Sequence, residues 1–159
     1  MNERIEFAKN DFLRAKGGLL RALSTTPDDR LNWSPSSTAR TPLQLAVHAA
    51  DAIGLLHDSL DGKVYNGPGP EEADRGFREH ERTFTDRDEA LSFLECRSDG
   101  FLGWLDALDP EKLSSMVDMP FIGTVPVEIA ITFPAFHTRW HHAQIDYVQT
   151  SYGDLDWHL

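Results

Sequence analysis

The chain has 159 residues and a mass of 17.9 kDa, enough for one domain, residues 1–159, around a single hydrophobic core. Hydrophobic residues make up 40% and charged residues 26%, which excludes wholesale disorder. Fifteen Lys and Arg stand against 26 Asp and Glu, a net charge of −11, and an acidic chain without a basic stripe grips phosphates poorly, so no nucleic acid is expected as a partner.

The amino end, MNERIEFAKNDF, lacks the apolar core of a signal peptide, and no apolar run reaches membrane-spanning length. The chain is therefore expected in the cytoplasm, with no membrane partner. From about Asn2 to Ser24, the residues Ile5, Ala8, Phe12, Ala15, Leu19 and Leu23 recur at spacings of three and four and predict a one-sided helix. Gly17 and Gly18 cost helix propensity there, which points to close packing or a local bend. A polar connection, TTPDDRLNWSPSSTAR, follows. Thr41, Pro42 and Gln44 then form a helix start with a capping box. The stripe of this second helix is Leu45, Ala49, Ala52 and Leu56, and His48 on its flank looks toward the interior.

Residues 61–85 are polar and punctuated by Gly and Pro. They read as a solvated crossover with charged side chains outward, with room for a short helix after Pro70. Asp86 and Glu89 open a third helix with Ala90, Leu94, Phe101, Leu105 and Leu108 on one face, and Asp109-Pro110 ends it. Cys96 on this helix is a lone cysteine that cannot close an intramolecular disulfide, and it reads as a small buried or half-buried thiol. MVDMPFIGTVPV is extended or looping. A fourth helix is expected from about Thr124–Pro126 to Ser151, kinked at Pro134 and stopped by Gly153. Four amphipathic helices and no strong strand signal give an all-α fold, a four-helix bundle with long crossover connections.

The chemistry concentrates in HTRWHHAQ, residues 137–144. His137 and His141 are four apart and share a helix face with Phe133, Ile145 and Val148, so both point into the bundle. With His48 from the second helix they predict a three-histidine metal site that leaves a coordination position open. His142 points about 100° away, toward the surface. Gln144 and Asp51, each one turn beyond a proposed ligand, are the candidate acceptors for the imidazoles' second nitrogens. Asp51 also leaves open a site of two histidines and one carboxylate. A zinc protease is excluded because Thr138 stands where its general-base glutamate must be. A di-iron carboxylate bundle is excluded because no histidine has a Glu three residues before it. There is no G-x-S-x-G, phosphate-cradling or dinucleotide motif, and no catalytic residue beyond the ligands can be assigned.

RTPLQLAVHAAD around His48, the long connection and the terminal H-x-x-x-H-H-A-Q resemble the DinB-like superfamily, the DNA-damage-inducible and YfiT-like four-helix proteins. His48 matches that family's early ligand, His137 and His141 its paired ligands, and Gln144 the Gln of its terminal motif. His142 and Ala143 stand where Arg-Gly is usual. The resemblance implies a divalent metal ion, zinc or nickel, at one end of the bundle, often in a homodimer. It also implies thiol-dependent transfer or isomerisation, or metal-dependent hydrolysis, with a low-molecular-weight thiol as a further cofactor.

Two functional classes follow. One is a metal-dependent enzyme on a small-molecule substrate, in which the ion lowers the pKa of a thiol or water at its open position. The other is a non-catalytic metal-binding or stress-associated interaction protein. A deep pocket beside the ligands favours the first. Trp140, Tyr147, Tyr152 and Trp157 exceed what one small bundle readily buries and predict a homodimer.

Overall fold

The computed structural model describes residues 2–158. Four long helices form the bundle: α1 (Glu3–Thr25), α2 (Pro42–Leu60), α4 (Arg87–Ala107) and α6 (Phe133–Ser151). Between α2 and α4 the crossover carries a helix, α3 (Pro70–Glu81). After α4 come a short 3-10 turn (Pro110–Ser114), an antiparallel hairpin of β1 (Met116–Met119) and β2 (Gly123–Pro126), and one turn of helix, α5 (Val127–Ala130).

Local chemistry explains the boundaries. The Thr41 side chain accepts from Gln44 N–H while the Gln44 side chain accepts from Thr41 N–H, which closes the capping box of α2. Asp86 caps α4 by accepting from the backbone of Asp88 and Glu89. Pro134 does not kink a long helix. It lies in the first turn of α6, where its missing N–H has no helical partner to lose, and the chain breaks between α5 and α6 instead. MVDMPFIGTVPV, expected as extended or looping, folds as the hairpin. Its turn holds Phe121 at φ 65°, a left-handed conformation rare for an aromatic residue.

The core lies where α2 packs against α4 and α6, and α1 against α6. Phe12 and Phe101 meet edge to face at 5.0 Å, flanked by Leu19, Ile53, Leu94, Leu105 and Ile145, all of them buried. α1 runs through Gly17 and Gly18 without a break. Gly18 lets α1 approach α6, because a Cβ there would meet the His142 ring at 2.6 Å. Cys96 is exposed rather than half-buried. The aromatic residues near the C-terminus divide: Trp140, Tyr147 and Trp157 are exposed, while Tyr152 packs edge-on against Trp33 at 5.8 Å. No helix among the described residues is long and apolar enough to cross a membrane.

Candidate metal centre

His48 projects from the second turn of α2, and His137 and His141 from the second and third turns of α6, where those helices pack together. One ring nitrogen from each of the three comes within 4.8 Å of the other two. Nε2 of His137 and Nε2 of His141 are 3.3 Å apart. Two nitrogens bound tetrahedrally at zinc's usual distance would be separated by about 3.3 Å, so this pair already has the spacing of a shared ion. The Nδ1 atoms face away. Nδ1 of His141 lies 2.7 Å from Gln144 Oε1, Nδ1 of His48 lies 2.8 Å from Glu81 Oε1, and Nδ1 of His137 is buried without a partner.

Burial, reinforced by the charges of His48 and Arg40, lowers the pKa of His137 to about 4. Burial and the neighbouring His137 and His48 lower that of His141 to about 3. Both rings are therefore neutral near pH 7, the form that binds a metal. Imidazole nitrogens suit zinc, nickel and similar divalent ions better than hard calcium or magnesium. The donor set fits the ion.

Asp51 makes no hydrogen bond to His48. Its carboxylate meets His80 of α3 at 2.8 Å, and burial raises its pKa against that hydrogen bond. It is outside the three-nitrogen cluster, so the alternative of two histidines and Asp51 has no geometry behind it. His142, expected at the surface, is half-buried with its ring against Gly18 of α1, and it pairs with Asp146 at 3.4 Å. Thr138 is buried and donates to the Pro134 carbonyl at 2.7 Å.

Two groups not singled out in the sequence complete the surroundings. Glu81, the last residue of α3, is 0% exposed and accepts from both His48 and Arg40, the latter through Nε at 2.7 Å. Burial opposes its ionisation, yet those two hydrogen bonds and the Arg40 charge hold its pKa below the ordinary carboxylate value. Arg40 also donates through Nη2 to Asp74 at 2.6 Å, and Arg78 donates to the other oxygen of Asp74 at 2.8 Å. Ala73, Phe77 and Glu81 follow at i, i+4 and i+8, so two small apolar marks of an inward face lead to the buried acid. The charged residues around them hide that signal.

An apolar pocket of about 280 Å³ ends on His48 and His137. α2 supplies Ala52, Leu55 and Leu56, α3 supplies Ala73 and Phe77, and the hairpin tip supplies Pro120, Phe121 and Ile122. Its one charged lining residue, Asp74, is the acid matched by Arg40 and Arg78.

A search of curated proteins finds no match. Among solved structures, the chain is similar to the sibling lethal factor precursor DfsB, with 18% identity and a TM-score of 0.74 over 96% of this chain and 99% of that one. It is similar to an uncharacterised protein from Clostridium difficile 630, with 14% identity and a TM-score of 0.75 over 94% and 98%. It is also similar to the colibactin self-resistance protein ClbS, solved in complex with double-stranded DNA, with 13% identity and a TM-score of 0.71 over 92% and 95%. The ClbS complex corrects the expectation that nucleic acid is excluded as a partner. Net charge averages over the whole surface, and a protein of this fold is seen on duplex DNA. The family model of the DinB superfamily matches residues 12–145. With that match spanning most of its length, the chain belongs to the DinB superfamily.

Proposed function

We propose that the chain is a metal-dependent enzyme acting on a small molecule, with His48, His137 and His141 holding a divalent ion such as zinc or nickel. The observation that carries this reading is a pocket ending on two of three converging imidazoles. An ion held there supplies Lewis-acid chemistry that lowers the pKa of a thiol or water.

The chain's own residues do the rest. Gln144 and Glu81 accept from the Nδ1 atoms of His141 and His48, which leaves their Nε2 lone pairs free. The aliphatic and aromatic walls offer a ligand an apolar surface. With Asp74 compensated, they favour an uncharged substrate with an apolar body. Thr138 hydrogen-bonds the backbone and takes no proton, so the reading includes no protein general base at that position. The reaction class is thiol transfer or hydrolysis.

Protein purified without chelator or affinity resin should contain about one zinc or nickel per chain by elemental analysis. His137→Ala and His141→Ala should each weaken zinc binding by more than about 100-fold, beyond the usual effect of losing an outer hydrogen-bond partner. Turnover of an uncharged electrophile or ester panel, with and without a small thiol, should vanish in the same variants. Wild-type protein that binds zinc no better than His137→Ala sinks the reading.

The ClbS complex favours a second reading, a non-catalytic protein whose ligand is DNA. Anisotropy of a labelled duplex over a salt series separates the two, because binding through phosphates weakens steeply with salt.

A further inference from the structure

We propose that Glu81 is the positioning residue for His48. It holds the ring as the Nδ1–H tautomer with Nε2 turned toward His137 and His141, and it ties that ring to the wall of the apolar pocket. The consequence for metal affinity rests on reading the three imidazoles as a metal centre; the assignment of the tautomer does not.

The Glu81 carboxylate is paired with the Arg40 guanidinium at 2.7 Å, and a carboxylate so paired only accepts hydrogen bonds, so the proton between Glu81 Oε1 and His48 Nδ1, 2.8 Å apart, belongs to the imidazole. The lone pair is then on Nε2. Phe77, one turn before Glu81, meets the His48 ring edge to face at 5.2 Å, so α3 restrains the ring by hydrogen bond and by packing. The second oxygen of Glu81 is taken by Arg40, whose other end holds Asp74 in the pocket wall. One connected set of charges therefore runs from the imidazole to the pocket lining.

The burial of this acid is selective. Glu71, Glu72 and Glu79 on the same helix are exposed, whereas Glu81 is fully buried. A buried carboxylate is costly unless it is paired and hydrogen-bonded. A role confined to neutralising Arg40 would leave its bond to His48 unexplained, because Asp74 already pairs with that guanidinium.

The test uses the full chain, ¹⁵N-labelled and metal-free, about two units above the ordinary imidazole pKa. Long-range ¹H–¹⁵N correlations read the His48 tautomer directly. Wild type should show Nδ1–H. Glu81→Gln keeps an acceptor oxygen and should retain it. Arg40→Met combined with Glu81→Leu removes both charges at once, so no buried guanidinium is stranded and the bundle should stay folded by circular dichroism. In this double variant His48 should move to a mixture richer in Nε2–H.

Zinc titration against a competing chelator should show a 10–100-fold loss in the double variant and a smaller loss in Glu81→Gln. A wild-type Nε2–H tautomer, a double variant that keeps Nδ1–H, or one that binds zinc as tightly as wild type overturns the proposal. A wild type with Nδ1–H that takes up no zinc supports the assignment of Glu81 and instead removes the metal-centre reading.

Discussion

His137 and His141 lie one turn apart on α6, and their low proton affinities link the site to the stability of the fold. Their pKa values, about 4 and about 3, are depressed first by burial. The unfolded chain protonates these rings below about pH 6.5, while the folded chain leaves them neutral until about pH 4 to 3. The metal-free fold should therefore hold constant stability above that window and lose it as the pH falls from about 6.5. Glu81 and Asp74 have lowered pKa values too, but they destabilise only below the carboxylate range, and His57, whose pKa burial also lowers, contributes alike in wild type and variant, so the difference between the two proteins from pH 7.5 to pH 5 reads His137 and His141. Urea midpoints should fall between those two pH values in wild type, and fall less in His137→Ala/His141→Ala; equal slopes would refute the assignment. At this scale the convergence of His48, His137 and His141 is legible in the sequence, because a four-residue spacing on an apolar face fixes direction. The partner of His48 is not. Asp51, one turn away, offered the right chemistry, but His80 of α3 occupies it, and the acid that does reach His48 comes from 33 residues further along the chain.

The helices show how far periodicity carries and where it stops. The stripes of α1, α2 and α4 are one-sided, and their caps are local, so their boundaries are readable within a residue or two. α3 is a different case. Its charged residues suit a solvated crossover, and only Ala73, Phe77 and Glu81 mark the face that closes over the site. The hairpin hides because its strands are four residues each and its turn relies on Phe121 in a left-handed conformation, which no local rule favours. The glycine pair in α1 allows a direct check of element-scale reasoning. A Cβ at Gly17 meets only the Arg21 guanidinium, at 3.6 Å, whereas one at Gly18 runs into the His142 ring. Gly17→Ala should raise stability by about 0.5–1 kcal/mol through helix propensity alone. Gly18→Ala should show no comparable gain, since the His142 ring must move. Urea midpoints for the two variants decide it; an equal gain at both would mean that the α1–α6 approach is looser than described.

For the molecule as a whole, the question is whether an ion would hold the bundle together or merely sit in it. The buried apolar side chains extend through α1, α2, α4 and α6, and the three histidines occupy one locality beside them. Removing an ion from that locality leaves the rest of the core packed. Chelation should therefore leave the far-UV circular dichroism of the folded protein unchanged at 25 °C. It should still lower the melting temperature, because a ligand that binds only the folded state stabilises it by mass action. With zinc at about 100 times its dissociation constant, that contribution is about 2.7 kcal/mol. For a chain of this length each kcal/mol shifts the melting temperature by roughly 2–4 °C. The expected fall on chelation is thus about 5–11 °C, reversed by adding zinc and absent in His141→Ala. Loss of helical signal on chelation at 25 °C would instead mark the site as structural, and the pocket beside it would need another explanation. A melting temperature indifferent to both chelator and zinc would mean that the three imidazoles converge without holding an ion.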